Sequence, residues 1–145
     1  MTDKVSPRAW GTAVSKDRSS GHAVIFRYAS ETFDDSTRLS QPNLIRLIWQ
    51  YEGEAGMPHS ETRQRMDALE DAIALAVEAD GFASLVLVST GEYRREWTYY
   101  VGPTTEFMNR LNRGLADHPR YPIEIRIGED PEWEKFEEFK RSVAG

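Results

Sequence analysis

The chain has 145 residues, 39% of them hydrophobic and 29% charged, with a net charge of −6. That balance fits one soluble domain with a core of useful size and argues against disorder. The absence of cysteine excludes disulfides, thiolate metal ligands and a thiol nucleophile. No apolar run approaches the roughly 20 residues of a membrane helix, and "MTDKVSPRAWG" lacks the apolar segment of a signal peptide, so a cytoplasmic protein without a membrane partner is expected. An acidic chain gains little from counterion release, which disfavours nucleic acid as a partner.

Two β-prone runs, "RAWGTAVS" and "AVIFRYAS", flank the polar "KDRSSGH" and predict an N-terminal hairpin. "ETFDDSTRLSQP" then reads as a linker or surface loop closed by Pro42. In "NLIRLIWQYE", Ile45, Leu47, Trp49 and Tyr51 share one side of a strand. After the loop "GEAGMPH", Ser60 is placed to cap a helix carrying Met66, Leu69, Ile73 and Val77 at helical spacing, with Gly81 just past its end.

"ASLVLVS" predicts the next strand, Thr90-Gly91-Glu92 a turn, and "EYRREWTYYV" a third strand. Thr104 or Thr105 caps a second helix with Phe107, Leu111 and Leu115; "YPIEIRIG" is a strand with Ile123, Ile125 and Ile127 on one side. Asp130 as cap and Pro131 at the first helical position open a last helix striped with Trp133, Phe136, Phe139 and Val143.

The order over 43–128 is β-α-β-β-α-β, an α+β fold of the ferredoxin-like split-βαβ kind. An N-terminal hairpin and loop (1–42) precede it and an amphipathic C-terminal helix (129–145) follows, all within one domain.

The two-residue period divides the sheet. Tyr93, Arg95, Trp97, Tyr99 and Val101 should join the apolar rows under the two helices, with Arg95 near the strand's start and its head group reaching solvent. The other side should carry Arg46, Ile48, Arg94, Glu96, Thr98, Tyr100, Glu124 and Arg126, with Val86 and Val88 on the neighbouring strand. Opposite charges there can pair across the ladder and leave an ordinary solvated face. The same residues can instead form a mixed-charge docking surface anchored by Tyr100. A third outcome is that the hairpin or the last helix covers part of this face.

Catalytic signals are weak. His22, His59 and His118 are scattered, so no metal site is expected. No phosphate-binding loop or nucleophile elbow occurs, and no cofactor or catalytic residue is expected. "GEAG" at 53–56 reads as a flexible connector. Adjacent Glu70 and Asp71 diverge on their helix, and the acids of "EDPEWEKFEEF" suit a helix start and a solvated face.

The stretches "AWGTAV…GHAVIFRY", "LEDAIALAVEADGFASLVLVSTG", "REWTYYVG" and "YPIEIRIGEDPEWEKFEEF" together resemble the bacterial domain-of-unknown-function family numbered 695, from Trp10 to Phe139. That family is similar in architecture to the regulator of ribonuclease E activity B, a ferredoxin-like protein that inhibits its enzyme by binding it. The resemblance implies a small cytoplasmic domain that works by contact. The expected function is therefore a non-catalytic module that binds and regulates a protein partner, a basic toxin or an enzyme, through Arg46, Arg94, Glu96, Thr98, Tyr100, Glu124 and Arg126. The alternatives are a single-stranded RNA-binding module using the same face, or an enzyme whose site is assembled from distant residues.

Overall fold

Strict alternation makes Asn43–Gln50 a strand, β3, whose Ile45, Leu47 and Trp49 point to one side and are buried. The computed structural model that places it describes residues 9–144; the reading of residues 1–8 as a segment without a signal peptide lies outside them. The predicted N-terminal hairpin is present as β1 (Trp10–Lys16) and β2 (Ala23–Ala29), antiparallel from Trp10↔Ala29 to Lys16↔Ala23.

The segment read as a linker contains a short helix instead, α1 (Asp35–Ser40). Asp34 caps it, Oδ1 accepting from the Thr37 N–H at 2.8 Å. After β3 comes a two-residue ribbon, β4 (Gly53–Glu54) with β5 (Met57–Pro58), in place of the expected loop. Next is α2 (Ser60–Ile73), continued by a π-helical turn over Ala74–Glu78. The chain ends with β6 (Ala83–Gly91), β7 (Arg94–Val101), α3 (Thr104–Gly114), β8 (Ile123–Glu129) and α4 (Glu134–Ala144).

The result is a mixed α/β protein. Among the described residues it has four α-helices and a six-stranded sheet of order β1-β2-β6-β7-β3-β8, with every pairing antiparallel.

The first face of the sheet is cored as its period predicts. Ile45, Leu47 and Trp49 of β3, Trp97, Tyr99 and Val101 of β7, Met66, Leu69 and Ile73 of α2, and Phe107 and Leu111 of α3 form one buried cluster. Ile123 and Ile125 of β8 pack against it, while Ile127 at the open edge is 54% exposed. The Trp97 indole N–H donates to Glu70 Oε1 at 2.9 Å, so this large ring is buried with its polar atom satisfied.

A second cluster occupies the opposite face. Ala29, Phe33, Val86 and Tyr100 are buried there under Trp133 and Phe136. Phe139 continues the contact onto Phe26 and Tyr28 of β2, with ring centroids 5.1 and 5.5 Å away. The C-terminal helix thus covers part of the face opposite α2 and α3.

Several local details differ from the sequence reading. Ser60 and Thr104 are the first helical residues rather than caps; His59 and Pro103 precede them without a side-chain capping bond. Asp130 does cap the last helix, Oδ1 and Oδ2 accepting from the Glu134 and Lys135 N–H groups at 2.9 and 3.0 Å. Pro131 lies in the preceding turn, however, and the helix begins only at Glu134.

The β6–β7 connection is a two-residue turn at Glu92 and Tyr93, with φ of 52° and 66°. Tyr93 therefore belongs to the turn and not to the strand. Left-handed backbone at non-glycine residues costs roughly 1–2 kcal/mol each, and the β4–β5 ribbon holds it in place. The Tyr93 N–H donates to the Gly56 carbonyl at 2.9 Å, and the Tyr51 hydroxyl donates to that same carbonyl at 2.6 Å. Gly56 has φ +84°, and a Cβ there would lie 2.8 Å from the Glu92 nitrogen, so the close approach requires glycine.

Finally, a register shift between Leu85 and Leu87 carries Val88 to the first face, beside Trp97, while Val86 stays on the second. The assignment of both valines to one side is corrected by that bulge.

Candidate functional site

The strands that carry the expected docking residues do bring most of them to one side. Arg46 of β3 lies directly opposite Thr98 of β7 and Arg126 of β8; Ile48 lies opposite Glu96 and Glu124. Arg46, Arg94, Glu96, Glu124 and Arg126 thus form one charged corner on β7, β3 and β8, beyond the cover of α4. Arg94, Glu124 and Arg126 are exposed, Arg46 and Glu96 partly so.

Thr98 and Ile48 belong to the same side but are buried. Long side chains flank both, Arg46 and Leu87 beside Thr98, Glu96 and Glu124 beside Ile48, and such stems can shield a sheet while their charged head groups stay wet. Among the described residues the Thr98 hydroxyl has no hydrogen-bond partner.

Tyr100 is the correction. It is 0% exposed and cannot serve as an aromatic anchor on an open face. Its ring stacks on Trp133 with centroids 4.3 Å apart and planes 9° from parallel. Its hydroxyl donates to Asp130 Oδ2 at 2.6 Å and accepts from the Phe136 N–H at 3.3 Å. Burial, reinforced by the Asp130 carboxylate, pushes the Tyr100 phenol well above its ordinary pKa. Burial works to raise Asp130 as well, but hydrogen bonds from Tyr100 and the Lys135 and Glu134 backbone win and hold it below the usual carboxylate value. Tyr100 is a fixed part of the helix dock.

The charges of the corner pair mainly along strands. Arg94 Nη2 donates to Glu96 Oε1 at 2.7 Å and Arg126 Nε to Glu124 Oε2 at 2.6 Å, each two residues apart on one strand. Among the described residues, the contact across the ladder is the loose Arg46–Glu96 pair at 3.7 Å. Arg46 faces Arg126 directly, a like-charge juxtaposition that the glutamates on either side offset. Three arginines against two glutamates leave the corner one positive within a chain of net −6. Gly128, just beyond on β8, has nothing within 4 Å of where a Cβ would stand, so the corner is open at that end.

The histidines lie elsewhere. His22 contacts Glu92 and His118 contacts Tyr121, each in its own turn region. Among the described residues, no cluster of three His, Asp or Glu side chains is placed to hold a metal ion, and no helix is long and apolar enough to cross a membrane. The sequence reading missed Arg95. Its side chain is 90% buried beneath α2 rather than laid out on the surface, and only its odd position in an apolar row signalled anything unusual.

A mixed α/β domain cored on both faces of its sheet, with a charged corner left uncovered, presents a surface set on rigid strands. The chain belongs to the family of unknown function DUF695, whose family model matches residues 10–140. No curated protein matches it.

Proposed function

We propose that this protein is a protein-binding module that regulates or inhibits its partner, an enzyme or a toxin, by docking it on the corner formed by Arg46, Arg94, Glu96, Glu124 and Arg126. The observation that carries this reading is the incomplete cover of the second face. The C-terminal helix buries the sheet around Tyr100 yet leaves a mixed-charge patch on β7, β3 and β8 facing outward. Side chains on strands are held more precisely than side chains on loops, which suits a surface that must discriminate among partners.

The patch's local sign favours a partner with an acidic contact surface. The basic partner suggested by the net charge of −6 alone does not match that local sign. Tyr100, stacked beneath Trp133, offers no free face to a nucleobase, so nothing here adds support to single-stranded RNA binding.

The same proposal includes the fold's finer class. The order β6-β7-β3-β8, with α2 and α3 on one face, supports a ferredoxin-like unit to which the hairpin adds β1 and β2. The likeness in architecture to an enzyme-inhibiting regulator of that class belongs to this reading too.

The test is charge reversal. Arg94→Glu combined with Arg126→Glu turns the corner from one positive to three negative. Folding stability should change by less than about 0.5 kcal/mol per site, as at other exposed positions. Immobilised parent and double variant are compared for the proteins each retains from native extract, measured by quantitative mass spectrometry. A protein held by the parent and released by the variant is the expected outcome. Identical retention by both removes this corner as the docking surface.

A further inference from the structure

On the first face, the β1–β2 hairpin carries the sheet past β6, and a cavity of about 320 Å³ opens between that extension, β5 and the early turns of α2. The volume falls at the lower end of the roughly 300–1,000 Å³ typical of small-molecule sites. Ile25, Met57, Pro58 and Val88 form its apolar walls. Arg27 from β2, Arg63 from α2 and Arg95 from β7 also line it, so three strands or helices distant in sequence deliver a guanidinium to one small space.

These three cations are unequally satisfied. Arg27 Nη2 donates to Glu70 Oε1 at 2.7 Å, an oxygen that also accepts from the Trp97 indole, so this oxygen is already shared. Arg95 donates from Nε to Thr90 Oγ1 at 2.8 Å. Its ion-pair partner Asp67 stands 3.8 Å from Nη1, beyond hydrogen-bond length, and is itself 64% exposed. Among the described residues the terminal nitrogens of Arg95 have no hydrogen-bond acceptor, and Arg63 has no ion pair.

Three guanidiniums thus meet two carboxylates: Arg95 has only the distant Asp67, and the exposed Arg63 faces the cavity mouth without a carboxylate. Burial pulls the Arg95 pKa down while Asp67 and Glu70 push it back. A guanidinium stays charged regardless, and a buried cation with free donors is stabilised by an anion that supplies acceptors.

We propose that this cavity binds a small organic carboxylate, its oxygens taken by the free terminal nitrogens of Arg95 with Arg63 closing over them, and its apolar body lying against Met57, Pro58, Ile25 and Val88. Thr12 and Thr90 supply the remaining polar lining. The site lies on the face opposite the charged corner, so it adds a ligand to the protein independently of how any partner docks.

The test uses phenylacetate as the organic anion, inorganic phosphate as a compact one and chloride as the ionic-strength control. The Nε–H resonance of Arg95, fixed by its bond to Thr90, is followed by nitrogen-edited NMR in the full-length chain. A saturable shift with phenylacetate is expected, with chloride producing none at matched ionic strength. Arg63→Gln, at an exposed helix position that leaves the fold intact, should weaken binding about tenfold. Arg95→Lys keeps the charge but loses the fork; if it folds, it should weaken phenylacetate at least as much, and if it does not, Arg63→Gln decides alone. A shift that never saturates, an equal response to chloride, or unchanged affinity in Arg63→Gln overturns the assignment. Phosphate binding as tightly as phenylacetate overturns it too, because the apolar walls would then contribute nothing.

Discussion

Trp133→Ala is expected to cost about 3–5 kcal/mol of folding stability, the range for emptying a site that held a large buried aromatic. Trp133 is fully buried and joins three separate parts of the chain. Its ring stacks on Tyr100 of β7 and lies 4.9 Å from Phe33 in centroid distance. Its indole N–H donates to the Gln41 carbonyl at 2.9 Å. Gln41 in turn bonds Gly81 and Ser84 through its side chain, so the tryptophan closes a network that reaches β6. With the ring gone, α4 is left to its remaining anchors, among them Phe136, Phe139 and the Arg38–Glu137 ion pair. A urea titration should show a lower midpoint, and amide exchange in Glu134–Ala144 should accelerate beyond the global change. Trp133→Phe preserves most of the packing and loses the bond to Gln41, so its cost should be much smaller. An unchanged midpoint for Trp133→Ala would mean that α4 does not dock where described.

Trp97→Ala should be comparably severe, about 3–5 kcal/mol, for a different reason. Trp97 sits at the centre of the first-face core, 6.5 Å from Trp49 in ring-centroid distance. It also supplies one of the two hydrogen bonds to Glu70 Oε1. Truncation creates a cavity and leaves Glu70 dependent on Arg27 alone. Since a domain's whole stability is typically about 5–15 kcal/mol, either alanine variant should lose a large fraction of it. The two tryptophans lie on opposite faces and share no hydrogen-bond partner, so the paired variant should show nearly additive losses. A denaturation midpoint for Trp97→Ala equal to the parent's would show that the faces of β7 are reversed.

How much of this was legible in the sequence depended on whether a signal was local. The alternation of Ile45, Leu47 and Trp49, and of Trp97 and Tyr99, reads out a strand face directly, because side-chain direction repeats every two residues. The helical spacing of Met66, Leu69, Ile73 and Val77 did the same for α2 and its continuation, and all four are buried. The amphipathic stripe of the last helix was equally plain at Phe136 and Phe139, although Trp133, read as part of it, precedes the helix with φ of 56°.

Where that stripe lands was not. Nothing local to Tyr100 says whether a helix thirty residues later will cover it, and so a core residue could be taken for an exposed anchor. Other misses have local causes that composition hides. Glu92 and Tyr93 adopt a turn usually signalled by Asn-Gly, and the bulge between Leu85 and Leu87 shifts Val88 across the sheet without any glycine to mark it. The burial of Arg95 follows from Thr90, Asp67 and α2 converging on it, a tertiary fact. At the candidate site, the charged corner was legible as period-2 charges. Its true boundary was set by the docking of α4.

The measurement that bears most directly on the proposed docking surface is carboxyl footprinting of the protein free and in complex with a captured partner. Carbodiimide-coupled labelling, read by mass spectrometry, reports the accessibility of each glutamate. Glu124, 54% exposed at its side chain, should label readily in the free protein and be protected in the complex. Exposed Glu61 at the start of α2 and Glu134 at the start of α4 should label equally in both states. Protection of Glu61 or Glu134, with Glu124 labelled as strongly as before, would contradict docking on the β7–β3–β8 corner.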